Sequence, residues 1–230
     1  MHMTLIDPEK QSPEGSAEIA RKAGKLGTDA VMVGGSTGVT QENLDGAVDQ
    51  IKKAVRLPVI YFPSGAKAIA RHCDAVYFMS MLNSMNIKNV TGEHSRGAPV
   101  IRKLGLETLS MGYVIVAPGM KVGEVGEADL IQRDDIPRAV GYALTAEMFG
   151  MDLFYLEAGS GAPDPVPAEM VKAVRESVEM PLVVGGGITE AEHASALVRA
   201  GADIVVTGTL VENGAFESKL KKIVTAVHRA

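Results

Sequence analysis

The sequence predicts one (β/α)₈ barrel over residues 1–230, with helix content modified around strands 3 and 4. Three observations predict it. Eight short apolar runs follow one another along the 230-residue chain. Four of them open with the same grammar: a small or turn residue, one spacer, an aspartate. The last two end in glycine-rich turns about twenty residues apart, as the phosphate-binding turns after strands 7 and 8 of such a barrel do.

The repeated openings are Gly27-Thr28-Asp29 into Ala30–Val33, His72-Cys73-Asp74 into Ala75–Phe78, Gly150-Met151-Asp152 into Leu153–Leu156, and Gly201-Ala202-Asp203 into Ile204–Val206. Between them lie Pro58–Phe62, Gly112–Val116 and Pro181–Val184, and Thr4-Leu5-Ile6 opens the set. Runs this apolar belong to parallel strands buried on both faces. Helical patterns separate them, among them Pro13–Leu26, Asn43–Val55, Pro137–Phe149, Pro167–Val178 and Glu190–Ala200. Pro13 and Pro167 stand where a first-turn proline is tolerated. The methionine-rich segment from Met79 to Arg96 fits the pattern least well. Its methionines suit either an adaptable apolar groove or the packing of the barrel top and a dimer contact.

Composition narrows the function classes. At 46% hydrophobic and 22% charged, the chain builds one well-buried domain. A net charge of −5 argues against a broad nucleic-acid surface. The single cysteine, Cys73, excludes an internal disulfide framework and predicts a reducing, cytoplasmic setting. The N-terminus lacks the pattern of a signal peptide, and no apolar run approaches a membrane span.

Candidate chemistry collects at the C-terminal strand ends, where barrels of this type carry their sites. The run Gly185-Gly186-Gly187 and the turn Thr207-Gly208-Thr209 offer backbone N–H groups to an oxyanion. Asp7 beside Ser36 or Thr37 supplies the carboxylate and hydroxyl with which Mg²⁺ is held when phosphates and water complete its shell; Asp7 followed by proline equally suits a turn cap. The Gly34-Gly35 amides before Ser36 extend the anion surface. Glu157 is the one carboxylate ending strand 6, suited to holding a substrate hydroxyl or acting as its general base; an ion pair at the barrel mouth is the structural alternative. Tyr155 goes inward or outward with it by strand parity. Five scattered histidines show no metal spacing, and Cys73 falls at a strand start, away from the site face.

At these residues the chain resembles the geranylgeranylglyceryl phosphate synthase family, which includes the PcrB-type prenyltransferases, and within it the archaeal branch in particular. The carriers are Thr4–Pro8, Gly34–Thr37, Phe78–Ser84, Tyr155–Gly161, Gly185–Ile188 and Val206–Thr209. The resemblance implies a Mg²⁺-dependent prenyltransferase joining geranylgeranyl diphosphate to sn-glycerol 1-phosphate, the first committed ether of archaeal membrane lipids. It places the glycerol phosphate on Tyr155, Leu156, Glu157, Ala158, Gly159, Ser160, Gly161, Gly186, Gly187, Gly208 and Thr209. Tyr155 and Glu157 hold the hydroxyls and serve as catalytic residues, Asp7 and Ser36 carry the metal, and the prenyl chain lies in a groove lined by Met79 to Met85. A homo-oligomer and transient contact with a membrane surface are implied too.

Two positions depart from the family. Leu5 stands where many members have lysine, and no aromatic anchor for a hexamer occurs near Glu124, which favours a dimer. A sugar-phosphate or indole-phosphate barrel is the rival enzyme, and would need acid–base pairs at several strand ends. A barrel that only binds a prenyl or phosphate ligand is the non-catalytic rival, and predicts binding without Mg²⁺.

Overall fold

The computed structural model describes residues 1–212 and 214–230. Among the described residues eight parallel strands close into a barrel in chain order, each paired to its neighbours and the last to the first. They are β1 (His2–Ile6), β2 (Ala30–Val33), β3 (Val59–Tyr61), β4 (Ala75–Met81), β5 (Glu107–Ile115), β6 (Leu153–Glu157), β7 (Leu182–Gly185) and β8 (Ile204–Thr207). The helices are α1 (Pro13–Lys25), α2 (Gln41–Ala54), α3 (Glu93–Leu104), α4 (Met120–Val125), α5 (Ile136–Met148), α6 (Ala168–Ser177), α7 (Ala191–Arg199) and α8 (Glu217–Arg229). All eight sequence-predicted strands form. β5 begins five residues earlier than its apolar run, because its exposed first half, Glu107-Thr108, carries no hydrophobic signal.

Helix starts follow local chemistry. Ser12 caps α1 by accepting from Gly15 N, with Pro13 in the first turn. Thr40 and Asn43 form a reciprocal capping box that starts α2 two residues before the predicted Asn43. Pro167 is the residue preceding α6 rather than its first-turn member. No helix joins β3 to β4 among the described residues; Pro63, Gly65 and the apolar Ala68-Ile69-Ala70 make an irregular, half-buried loop there. The Met79–Arg96 segment resolves into the end of β4, a π-helical turn over Lys88–Gly92 and the start of α3.

The aspartate grammar has one structural cause. Asp29, Asp74, Asp152 and Asp203 stand just before β2, β4, β6 and β8. Each carboxylate accepts a backbone N–H from the preceding odd strand: His2 N at 2.7 Å, Val59 N at 2.8 Å, Ser110 N at 2.7 Å and Leu182 N at 2.8 Å. These N–H groups lie at the lower rim of the sheet, where the parallel ladder has begun on one side only. The carboxylate satisfies a donor that would otherwise be left unpaired.

Alternation along the strands separates two cores. Outward residues such as Val31, Val114, Leu156 and Val205 pack under the helices. Inward residues fill the barrel: Met3, Met32, Met111, Val183 and Ile204 towards the base, with Tyr77, Tyr113 and Tyr155 above them. The barrel is therefore a packed core capped by phenols, and only its upper end is open to a ligand.

Candidate active site

A cavity of about 810 Å³ opens at the C-terminal ends of the strands. It has three parts: a glycine-lined end over β6–β8, a carboxylate and hydroxyl end over β1–β2, and an apolar extension between the β3–β4 loop and α3.

The glycine end is fixed by close approach. Gly186 and Gly187 have φ of +82° and +69°, a region side chains rarely adopt. A Cβ on Gly187 would lie 2.5 Å from the Asp164 backbone, and one on Gly186 would strike the Glu157 carboxylate. Only glycine fits either place. Gly208, Thr209, Ser160 and Gly161 line the same end, and the Ser160 and Thr209 hydroxyls hydrogen-bond across it at 2.7 Å. Two hydroxyls, from the loops after β6 and β8, thus face each other where an oxyanion would accept from both.

Glu157 ends β6 with its side chain inward and 7% exposed. Gly159 N donates to its Oε1 at 2.7 Å, so the turn after β6 holds the carboxylate in place. The Tyr155 and Tyr113 hydroxyls are turned to the same group and favour its charged form. Burial outweighs these bonds and pushes the Glu157 carboxyl up to about 7. A carboxylate titrating near neutrality can take a proton from an alcohol and return it to solvent. The rings beneath are locked edge to face: Tyr113 to Tyr155 at 5.1 Å and Phe62 to Tyr113 at 5.6 Å. Burial drives both phenols well above their ordinary range, so they act as neutral hydrogen-bond donors.

At the β1–β2 end, Asp7 opens a β-turn in which Lys10 N donates to Asp7 O at 3.2 Å and Glu9 N to Asp7 Oδ1 at 3.0 Å. The carboxylate lies against Gly35, where a Cβ would collide with it. Burial raises the Asp7 carboxyl, an effect opposed by the Glu9 amide. Asp7, Gly34, Gly35, Ser36 and Thr37 line the cavity together. One carboxylate and adjacent hydroxyls are a hard-oxygen set that suits Mg²⁺, and no group of three His, Cys, Asp or Glu forms a protein cage among the described residues. That partial set fits a cation arriving with substrate phosphates and water.

The apolar extension exists because no helix covers this side of β4. Val76 and Phe78, on the outer face of the strand, together with Ile69, Gly97 and Ile101, line a channel descending from the mouth. Glu93 ties its two walls together, accepting from Ala66 N at 2.6 Å. His94 stands edge-on to Phe78 at 4.6 Å, and burial lowers its imidazole, keeping it neutral. Met79 and Met81 reach the cavity, whereas Leu82 packs in the outer core and Met85 is 77% exposed. The groove is thus built less from the methionine segment than from the β3–β4 loop and α3.

The other sequence-predicted residues fall into place unequally. Leu156 and Ala158 turn their side chains into the outer core, and the Gly159 amide is taken by Glu157. Leu5 packs 3.4 Å from the Cβ position of Gly208, an apolar strut under the phosphate turn. Cys73 is buried, donates to Ala70 O, and is pushed up to about 11 by burial: an inert thiol. Tyr113 and Phe62 escaped the sequence reading. Tyr113 carried a usable signal, since it lies within the predicted strand 5 run with its polar tip among apolar neighbours.

Glycine turns shaped for an oxyanion, beside a buried carboxylate titrating near neutrality, define a (β/α)₈ barrel of the phosphate-ester-binding class. Relatives narrow that class. The chain matches the PcrB family over residues 1–227 and belongs to it. A geranylgeranylglyceryl phosphate synthase of Methanothrix thermoacetophila is 50% identical over 229 residues, covering 99% of this chain and 90% of that protein. The corresponding protein of Pyrococcus horikoshii is 47% identical, over 99% and 89%. The crystal structure of (S)-3-O-geranylgeranylglyceryl phosphate synthase from Thermoplasma acidophilum, in complex with substrate sn-glycerol-1-phosphate, superposes with a TM-score of 0.97. It is 43% identical and covers 100% of this chain and 94% of that one. A thiamine phosphate pyrophosphorylase from Pyrococcus furiosus, 18% identical with a TM-score of 0.62 over 99% and 95%, shares the fold.

Proposed function

We propose that this chain is a prenyltransferase that joins geranylgeranyl diphosphate to sn-glycerol 1-phosphate, with Mg²⁺ held by Asp7 and Ser36. The observation that carries the reading is the single cavity in which a glycine phosphate cradle, a near-neutral carboxylate, a metal-suited oxygen pair and an apolar channel meet. Relatives of nearly equal length bearing this activity, and one of them with the glycerol phosphate bound, support it.

The chain's own residues divide the work. Gly186, Gly187, Gly208, Thr209 and the Ser160–Gly161 turn receive the phosphate of the glycerol. Glu157 and Tyr155 hold its hydroxyl, with Tyr113 fixing the carboxylate from below. The prenyl chain runs past Phe78 and Ile69, where burial of its carbon surface supplies affinity. Held by Asp7 and Ser36, Mg²⁺ would supply neutralisation of the charge that develops on the diphosphate leaving group. The hydroxyl oxygen bonds to prenyl C1 as the C1–oxygen bond to diphosphate breaks, and Glu157 takes the hydroxyl proton. Positioning of two substrates in one cavity lowers the entropic barrier of this transfer. The channel walls keep water from the allylic centre.

The deciding experiment incubates the protein and Mg²⁺ with radiolabelled glycerol 1-phosphate and prenyl diphosphates of graded length. Prenyl ether, with the twenty-carbon donor preferred, is expected. Binding of glycerol phosphate without product at any length would point to a sugar-phosphate barrel instead.

A further inference from the structure

Three lysines line the cavity, and their partners distinguish them. Lys121 pairs with Glu124 on its own helix, and Lys219 pairs with Glu190 at the start of α7; neither glutamate reaches the cavity. Lys10 is different. Its Nζ sits 2.8 Å from both carboxylate oxygens of Glu212, and both residues line the cavity. Lys10 ends the β-turn that begins at Asp7, and Glu212 ends the 3₁₀ turn Thr209–Glu212 that begins at the phosphate cradle. The pair therefore bridges the seam between the first and last strands, above the gap separating the two anion surfaces. Both charges act on Asp7, Lys10 lowering its carboxyl and Glu212 raising it.

A fully ionised diphosphate placed beside Asp7 is not neutralised by one divalent cation. Strand β1 itself offers only Leu5 there, packed against Gly208. A further cation has to come from the loops. We infer that Lys10 is a diphosphate-binding residue of this site, held by Glu212 when the site is empty and exchanged from that carboxylate to the diphosphate oxygens when the prenyl donor binds. Glu212 thereby competes with the diphosphate for one ammonium group and helps it leave after transfer. A half-exposed lysine–carboxylate pair is weakly bound, whereas an ammonium on a multiply charged oxyanion is held more strongly, so exchange runs in the required direction.

This inference rests on the prenyltransferase reading, and its test separates the two. Lys10→Gln is expected to raise the KM for prenyl diphosphate, and the inhibition constant of inorganic pyrophosphate with Mg²⁺, about 10- to 100-fold. Its KM for glycerol 1-phosphate should stay within about twofold, because that cradle is made by the glycine turns and the Ser160 and Thr209 hydroxyls, without Lys10. Glu212→Gln is expected to do the opposite, tightening pyrophosphate about two- to fivefold. A residue that merely braced the seam would make both variants weaken binding alike. Calorimetric titration of Mg²⁺-pyrophosphate into each protein, with melting curves to verify folding, reads the same difference without turnover. The exchange is overturned if both variants shift pyrophosphate in one direction, if neither shifts it, or if only the glycerol phosphate KM moves. Absence of prenyl ether from the parent protein would sink the prenyltransferase reading alone, since the pyrophosphate titration stands apart from it.

Discussion

The two halves of the cavity are made by opposite means. Over β6–β8 the backbone is forced: Gly186 and Gly187 lie in the left-handed region with neighbouring atoms where a side chain would go. Over β3–β4 the ligand space arises by omission, since a loop stands where a barrel helix would cover Val76 and Phe78. The first half leaves no room for side chains, a shape that suits a small, highly charged group. The second takes its shape from side chains and a loop tied to α3 at Ala66, so it can vary in depth without disturbing the phosphate chemistry. In the proposed reaction the headgroup is read by glycine turns and the hydroxyls beside them, and chain length by packing.

Substitutions break or sharpen that contrast, and the largest effect lies where the halves meet. Glu157→Gln should lower the transfer rate about 10²- to 10⁴-fold in single-turnover assays with both substrates still bound. The pH dependence has a defined sign. The Glu157 carboxyl stands near 7 in the fold, against an ordinary value of 4.5. Its contribution to stability is thus fully present below about 4.5 and is lost as pH rises through 7. With Glu157 as the proposed base, activity should rise as pH rises through about 7. Glu157→Gln removes the ionisation, and at pH 8 it should gain up to about 3 kcal/mol over the parent in chemical denaturation, a gain that vanishes near pH 4.

Within the forced half, Gly187→Ala places a Cβ 2.5 Å from the Asp164 backbone at a φ of +69°. Strain of about 1–3 kcal/mol should weaken glycerol 1-phosphate about 10- to 100-fold. Prenyl-length preference should be unchanged, and a change in it would erase the proposed division. The variable half answers differently. A Cβ on Gly97 meets Ala66, Ile69 and Ile101 only at ordinary contact distance, so Gly97→Ala should be tolerated while Gly97→Leu fills the channel. The expected reading is preference for a shorter donor with the glycerol phosphate KM intact. Smallest of all, Glu93→Gln weakens the bond to Ala66 N by about 1 kcal/mol. Faster hydrogen exchange over residues 63–69 would register it.

The same contrast governs how much the sequence disclosed. The forced half was legible, because successive glycines after an apolar run mark a backbone with no room for side chains, and Glu157 stood alone in such a run. The eight strands were legible for a similar reason: a strand buried on both faces leaves little choice of residue. The open half was not, since a missing helix leaves no motif and the segment after Phe62 shows only breakers and small apolar residues. Tyr113 takes its meaning from the β5–β6 register that sets it beside Tyr155, and register is a long-range fact. Lys10 reads on its own as the polar end of a turn; its contact with Glu212 closes 202 positions of chain.

The four aspartates at the lower rim carry a consequence for assembly. Each fastens an even strand to the odd strand before it, so the cylinder is stapled as four successive couples: β1 to β2, β3 to β4, β5 to β6 and β7 to β8. Within three of those couples the staple closes across intervening helix, two of them between β5 and β6; within β3–β4 it closes across only the irregular loop. Where other quarters of the wall have a helix to hold their two strands in register, this one has Asp74 on Val59 and Glu93 on Ala66. A quarter so fastened can lose its covering helix and still keep its place in the ring, which is how a closed cylinder comes to have a slot in its side.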